Sequence, residues 1–227
     1  MFLLIDKPRG ITSHDVVTRI RRITGEKKIG HGGTLDPNAT GLLIIGVGRE
    51  STKRLSEFSD NSDKKYEALI FLGEERDTDD AEGTKATKPK SQISNNNKIT
   101  ISKIKNILVS FLGEQEQVPP IYSAIKIKGK KAYELARRGR KFQLKPRKVN
   151  IYDIRLIEYK YPYLGVFVRV SSGTYIRALA RDIGRKLGVG AYLLSLRRIG
   201  ISKLSVDTAV DLDSLNEDNW RDYIVSL

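Results

Sequence analysis

The most restrictive feature of the sequence is the apolar run LLIIGVG at residues 42–48, which directly follows a glycine-rich loop. A continuous apolar run of this length is typical of a strand buried in a sheet. The segment FLLID at residues 2–6 is also apolar and is predicted to form the first strand. The chain is therefore expected to build its core around a sheet.

Other segments alternate between strand-like and helix-like patterns without a regular order. Further strands are predicted at 64–73, 121–129, 149–160, 166–172 and 192–201. Helices are predicted from Ser13, as the cap, to about residue 23, at 50–58, at 100–113 with Thr100 as the cap, at 130–139 and at 174–188. The polar stretch 74–98 is predicted to be a loop. This mixture favours an α+β fold with a mostly antiparallel sheet.

The segment TYIRALARDIGRKLG, residues 174–188, has the clearest helical period in the chain. One face carries its apolar side chains, namely Ile176, Leu179, Ala180, Ile183 and Leu187. The charged side chains Arg177, Arg181, Asp182 and Arg185 are predicted to lie away from that face.

Length and composition indicate a single soluble domain. The chain has 227 residues, with neither an internal repeat nor a proline- and serine-rich linker. The N-terminal apolar run is too short for a signal peptide or a membrane span. The absence of cysteine fits a reducing cytoplasm. We therefore expect a cytoplasmic protein, without a membrane partner or an obligate protein partner, that is monomeric.

The charge is strongly positive and unevenly distributed. The net charge is +14, and the segment 126–148 alone carries eleven basic residues and one acidic residue. Since a solvated face usually mixes both signs, the segment predicts contact with a polyanion such as nucleic acid. The predicted contacts are Lys126, Lys128, Lys130, Lys131, Arg137, Arg138, Arg140 and Lys141.

Several kinds of site are disfavoured by the motifs. The glycines near residue 46 lack the Gly-Lys-Ser/Thr ending of a phosphate-binding P-loop. Two histidines and no cysteine make a zinc site improbable. The acidic run DTDDAEG, residues 77–83, departs from the calcium-loop spacing, although it leaves a metal-dependent phosphohydrolase as a weak alternative.

The loop GHGGTLDPNATG, residues 30–41, surrounds one carboxylate, Asp36, with glycines and a following proline. Glycine allows the backbone to approach a ligand closely, and Pro37 restricts the residue before it. An aspartate held in this way could act as a nucleophile or a base. It could equally close an Asx-turn, and local physics alone does not separate these two readings.

Five blocks of the sequence together resemble bacterial TruB-type tRNA pseudouridine synthases. The block with Asp36 resembles the catalytic motif of that family, and LLIDKPRGITSHDVV resembles its first motif. The blocks KKYEALIFLGEERDTDDAEG, VPPIYSAIKIKGKKAYELARRG and SSGTYIRALARDIGRKLG followed by LLSLRRIGI resemble the later ones, in family order. The resemblance covers about residues 2–205. It implies a mixed sheet with a catalytic cleft and flanking helices.

The resemblance also implies a role for each matching residue. Asp36 matches the catalytic aspartate, Tyr66 a tyrosine that packs on the target base, and Arg177 an arginine paired with the catalytic carboxylate. Substrate-binding roles are implied for His31, Tyr66, Tyr175, Leu196 and Lys7. Without the resemblance, packing would be the simpler interpretation of the two tyrosines.

Family members convert uridine 55 in the T-loop of tRNA to pseudouridine without a cofactor or a required metal. The resemblance thus implies one catalytic domain over residues 1–227, with the T-arm as partner and an RNA-contacting insertion at about 120–148. Because the sequence ends at Leu227, a C-terminal PUA-type RNA-binding domain is not expected. Attack by Asp36 on the base and attack on the ribose both stay open, and a non-catalytic RNA-binding protein or tRNA-folding chaperone is the main alternative.

Overall fold

The computed structural model describes residues 1–60, 62–86, 99–127, 129–140 and 142–227. Among them are five α-helices: α1 (Ser13–Thr24), α2 (Arg49–Ser59), α3 (Ile101–Val109), α4 (Ala132–Arg137) and α5 (Ile176–Leu187). The strands are β1 (Phe2–Lys7), β2 (Ile29–His31), β3 (Thr40–Val47), β4 (Lys64–Leu72), β5 (Gly113–Gln117), β6 (Lys126–Ile127), β7 (Lys130–Lys131), β8 (Arg147–Lys160), β9 (Tyr163–Val170), β10 (Ala191–Ile201), β11 (Leu204–Ser205), β12 (Val210–Asp211) and β13 (Ile224–Val225). Most pairings are antiparallel, while β1–β12 and β3–β10 are parallel, so the α+β class with a mixed sheet is confirmed.

The chain divides into two compact units. The first comprises Met1–Glu67, Arg169–Ser172 and Leu196–Leu227, and the second comprises Ala68–Val168 and Gly173–Ser195. In the first unit β1 lies between β12 and β3, and β3 pairs in turn with the residues of β10 around Arg198. In the second unit β5 pairs antiparallel with β8.

The strands β1 and β3 are buried on both faces, as their continuous apolar sequences predict. Leu3 and Ile5 pack with α1 and Trp220 on one side. Phe2 and Leu4 pack with Leu55 of α2 on the other. This double burial explains why neither strand shows the polar alternation of a half-exposed strand.

Three predicted elements differ from the structure. Thr12, rather than Ser13, caps α1, and it forms a capping box with Asp15. The predicted strand 121–129 is reduced to β6, and α3 ends at Val109, before Gly113, which instead opens strand β5. The sequence of β5, GEQEQ, is mostly exposed and polar, so it lacks the apolar alternation by which strands are recognised.

Of the loop predicted at 74–98, residues 87–98 lie outside the described residues, and 74–86 form turns and bends with isolated bridges. No helix in the described ranges is long and apolar enough to cross a membrane.

Candidate active site

The loop that carries Asp36 connects β2 to β3 in the first unit. The side chain of Asp36 is exposed, and its carbonyl accepts a hydrogen bond from the amide of Ala39 at 3.0 Å. A turn therefore follows the aspartate directly. The carbonyls and amides on either side of this turn are bound by side chains from three other elements.

Ser13, at the start of α1, holds the residue before Asp36. Its hydroxyl accepts a hydrogen bond from the amide of Leu35 at 2.9 Å and donates one to the carbonyl of Leu35 at 3.1 Å. Both Ser13 and Leu35 are buried. The sequence predicted Ser13 as a helix cap, and Thr12 takes that role instead, which leaves the Ser13 hydroxyl available to the loop.

Lys7, at the end of β1, holds the residue after Asp36. Its ammonium is fully buried and donates to the carbonyls of Pro8, Ile11 and Pro37 at 2.9, 2.7 and 3.1 Å. Burial lowers the pKa of Lys7, and the carboxylates of Asp36 and Asp15 act against that shift. Lys7 therefore fixes the backbone of the loop directly after Asp36.

Arg198, in β10, closes the other end of the loop and was not singled out by the sequence. It is 2% exposed, and its guanidinium donates to the carbonyls of Leu42 at 2.8 Å and Gly33 at 3.0 Å. Gly41 has a φ of 103°, and a Cβ there would lie 2.2 Å from the Arg198 carbonyl. Only glycine fits this approach. Two adjacent arginines, Arg197 and Arg198, in a mostly apolar strand were the available signal.

His31 lies in β2, at the start of the loop. Its Nδ1 is buried and has no hydrogen-bond partner within the described residues. Burial lowers the pKa of His31, and Arg198 and His14 lower it further, so the imidazole is neutral at pH 7.

Tyr66 and Leu196 also belong to the first unit. The ring of Tyr66 is buried in β4, and its hydroxyl makes no hydrogen bond within the part of the chain that is described. Leu196 is half-buried in β10. Two residues before Tyr66, the buried Lys64 ammonium donates to the carbonyls of Ser59 and Ser62 at 2.7 and 2.8 Å. Burial lowers the pKa of Lys64 to about 8.

Arg177 lies in the first turn of α5, in the second unit. It is 9% exposed, and its guanidinium donates to Asp80 Oδ2 at 3.3 Å, to the Thr78 carbonyl at 3.4 Å and to the Tyr122 carbonyl at 3.2 Å. Arg181, one turn later, binds Asp79 at 2.8 Å. Both arginines are nevertheless buried, because the loop that contains the acidic run 77–83 covers their side of the helix.

The acidic run at residues 77–83 thus forms a loop, called the acidic loop, whose carboxylates bind the arginines of α5. Burial raises the pKa of Asp79 to about 6, and the adjacent Arg181 acts against that shift. Asp77 accepts hydrogen bonds from the amide and hydroxyl of Thr84, at 2.8 and 3.0 Å. Within the described ranges, no three acidic or histidine side chains form a group that could hold a metal ion.

Tyr175 precedes α5 and is held by Gln117 of β5. The Gln117 side chain accepts a hydrogen bond from the Tyr175 amide at 2.8 Å and donates one to its carbonyl at 3.1 Å. Gln117 is buried. The sequence did not predict this role of Gln117, because it did not predict strand β5.

The pairing of Asp36 with Arg177 joins residues of different units and stays a prediction. The structure shows how each is fixed within its own unit. Asp36 is held through the backbone of its neighbours, and Arg177 through three acceptors of its own.

The basic segment, defined as residues 126–148, folds into the hairpin β6–β7, helix α4 and the start of β8. Its described cations are all exposed, and Lys128 and Lys141 lie outside the described residues. Lys148 binds Glu114 at 2.9 Å, and no other ion pair of this segment is found among the described residues. Lys131 and Arg137 each lie 5.6 Å from the centre of the Tyr133 ring.

Comparison with known proteins adds independent evidence. The chain is 43% identical to tRNA pseudouridine synthase B of Aquifex aeolicus (strain VF5), over 98% of the chain and 76% of that protein. It is 45% identical to the protein of the same name from Mycobacterium sp. (strain KMS), over 95% of the chain and 72% of that protein.

Solved structures give the same result for the fold. A chain of a Cbf5-Nop10-Gar1 complex matches with a TM-score of 0.72 and 30% identity over 94% of this chain. A chain of an H/ACA RNP bound to a substrate RNA containing 2'-deoxyuridine matches with a TM-score of 0.69 and 27% identity over 99% of this chain. The protein spans 53% and 56% of the lengths of those two chains.

Family models cover most of the sequence. The N-terminal domain of TruB family pseudouridylate synthases matches residues 21–176, and the C-terminal domain of tRNA pseudouridylate synthase B matches residues 177–225. Together with the relatives, these matches show that the chain belongs to the TruB family of pseudouridylate synthases.

Proposed function

We propose that the protein converts uridine to pseudouridine in tRNA, at position 55 of the T-loop, with Asp36 as the nucleophile. The relatives named tRNA pseudouridine synthase B support the reaction and the class of RNA. The observation that carries the assignment to Asp36 is its loop, whose backbone is bound by Ser13, Lys7 and Arg198.

The reaction needs this rigidity. The bond between uracil N1 and ribose C1' breaks, the base turns, and C5 bonds to C1', while a proton leaves C5 and N1 gains one. One ionised carboxylate must keep its position while the base moves. Catalytic geometry is sensitive to displacements of about 1 Å. The anchors on Leu35 and Pro37 place Asp36 between two fixed residues.

Other residues have complementary roles in the proposal. Tyr66 offers a buried ring for the target base and a hydroxyl without a partner among the described residues. Arg177 pairs with the Asp36 carboxylate. Tyr175 and Leu196 line the uridine pocket, and His31 contacts the RNA beside a nucleotide that is taken out of its stack. The basic segment contacts the backbone of the T-arm. No cofactor or metal takes part.

The test is carbodiimide mapping of pseudouridine in an unmodified tRNA transcript incubated with the purified protein. Wild type should yield pseudouridine at position 55, also in EDTA, and Asp36→Asn should yield none while it binds tRNA with nearly unchanged affinity. Binding without product by the wild type would favour the non-catalytic RNA-binding alternative. Product from Asp36→Asn would overturn the role of the carboxylate.

A further inference from the structure

The first unit contains a pocket of about 530 Å³ between the C-terminal part of α1, strand β2 and helix α2. Its polar lining consists of cations and hydroxyls, together with His31, and includes no carboxylate. These cations and hydroxyls are Arg21, Lys27, Lys28, Thr52, Ser56 and Ser59.

The three cations of the pocket have no acidic partner among the described residues. Arg21, Lys27 and Lys28 form no ion pair within the part of the chain that the structure describes. This differs from the neighbouring surface of α2, where Lys53 binds Glu50 at 2.9 Å and Arg54 binds Glu57 at 3.2 Å. Unpaired cations grouped around one depression favour an anionic ligand.

The shape of the pocket depends on small residues. A Cβ on Gly30 would lie 3.0 Å from Leu55 Cδ1, and one on Gly46 would lie 3.1 Å from the Ser51 carbonyl. These glycines let α2 pack closely on β2 and β3, with Leu55 against Gly30, and this close packing fixes the α2 side of the pocket.

The chemistry of the lining fits a phosphodiester. The hydroxyls of Thr52 and Ser59 already donate to the Arg49 carbonyl and to Asp60. Arginine offers several N–H donors in one plane, lysine a mobile cation, and the Ser56 hydroxyl a further donor. Contacts of this kind position a nucleic-acid backbone without reading its sequence. The lining residues Gly30 and His31 also begin the loop that carries Asp36, so the pocket and the proposed nucleophile share one short stretch of backbone.

We propose that this pocket binds the phosphates of the substrate RNA and forms a second backbone contact, separate in sequence from the basic segment. The inference rests on the proposed function only in taking RNA as the partner. Arg21, Lys27 and Lys28 supply the charge, and the Ser56 hydroxyl of α2 adds a neutral donor.

The experiment measures the affinity of a tRNA transcript at several salt concentrations. The pocket variant carries Arg21→Ala, Lys27→Ala and Lys28→Ala. The control variant carries Lys53→Ala, Arg54→Ala and Lys203→Ala, which removes the same charge from exposed positions of the same unit outside the pocket. Each phosphate contact contributes about 0.7–0.9 to the slope of log affinity against log salt. The pocket variant should flatten the slope by about two units, and the control by much less.

Equal slopes in the two variants would overturn the proposal. If thermal unfolding shows that the triple variant is not folded, Lys27→Ala and Lys28→Ala are measured singly, each with an expected change of about 0.7–0.9. Inorganic phosphate that binds the wild type but not the pocket variant, without displacing tRNA at constant ionic strength, would indicate a site for a single free anion and would overturn the RNA assignment. Pseudouridine is mapped in parallel. If wild type forms none, the proposed function is overturned, while the salt slopes still show whether the pocket binds RNA.

Discussion

The hydroxyl of Ser13 binds both backbone groups of Leu35, accepting from its amide at 2.9 Å and donating to its carbonyl at 3.1 Å. Two hydrogen bonds from one buried side chain fix the peptide on each side of Leu35, and Asp36 is the next residue. The first turn of α1 thereby sets the position of the proposed nucleophile.

Replacing Ser13 with alanine should lower the rate of pseudouridine formation by about 10-fold to 100-fold, because a displacement of about 1 Å has effects of that size. The affinity for tRNA should stay nearly unchanged, since it depends mainly on phosphate contacts. Single-turnover rates and binding are measured on the same transcript.

Thr12→Ala is the matched control for Ser13→Ala. It removes the cap of α1 and should destabilise the fold by about 0.5–2 kcal/mol, while it leaves the contacts of Leu35 in place. If Thr12→Ala slows the reaction as much as Ser13→Ala does, the effect comes from helix stability rather than from the loop.

Replacing Gln117 with leucine should slow the reaction through Tyr175. The Tyr175 amide would lose its acceptor, whereas its carbonyl would keep the hydrogen bond from the Leu179 amide at 3.1 Å. An unsatisfied amide of this kind costs about 1–3 kcal/mol when buried. We expect a lower rate on bound tRNA together with a lower melting temperature.

Gln115→Leu, two residues earlier on β5, is the corresponding control. Among the described residues, its half-buried side chain donates a hydrogen bond only to the Leu112 carbonyl, at 3.4 Å. Equal rates for the two variants would show that Gln117 does not position Tyr175.

The sequence predicted those elements whose own residues bury an apolar pattern. Strands β1 and β3 and helix α5 are of this kind. It did not predict the partners of Arg177 and Arg181, because Asp79 and Asp80 lie about 100 positions earlier in the chain. In the sequence, a serine or threonine next to a helix start looks like a helix cap whatever its hydroxyl contacts. The hydrogen bonds of Ser13 to Leu35 could therefore be found only from the structure.

Stability should rise with pH through the titration of Lys64. Burial lowers its pKa from 10.5 to about 8 in the folded protein. Between these values the unfolded chain binds a proton that the folded chain has lost, so the free energy of unfolding increases as pH rises. From pH 8 to pH 9.5, the free energy of unfolding of wild type should increase by about 2 kcal/mol relative to that of Lys64→Met.

Urea unfolding at pH 7, 8, 9 and 9.5 measures this difference. Lys65→Met, at the adjacent and more exposed position, controls for the general effect of removing a lysine. A difference between wild type and Lys64→Met that does not change with pH would contradict the prediction. Below about pH 7 both states carry the proton, and the difference should be constant.

The basic segment should carry most of the salt dependence of tRNA binding. It holds eleven of the 41 basic residues, and Lys130, Lys131, Arg137 and Arg138 are exposed with no ion pair among the described residues. Replacing these four with alanine should flatten the slope of log affinity against log salt by about two to three units, if most of them contact phosphates.

The four substitutions should weaken binding to all tRNAs alike, because phosphate contacts carry little sequence information. The rate on saturating tRNA should change much less, since none of the four matches a residue with an implied catalytic role. An unchanged slope would mean that the segment is only a solvated surface. The backbone contacts would then have to lie elsewhere, and the pocket with Lys27 and Lys28 offers the next site, whereas Lys64 is buried and Lys65 half-buried. Comparing the slopes of the two sets of variants on one transcript therefore ranks the two surfaces directly.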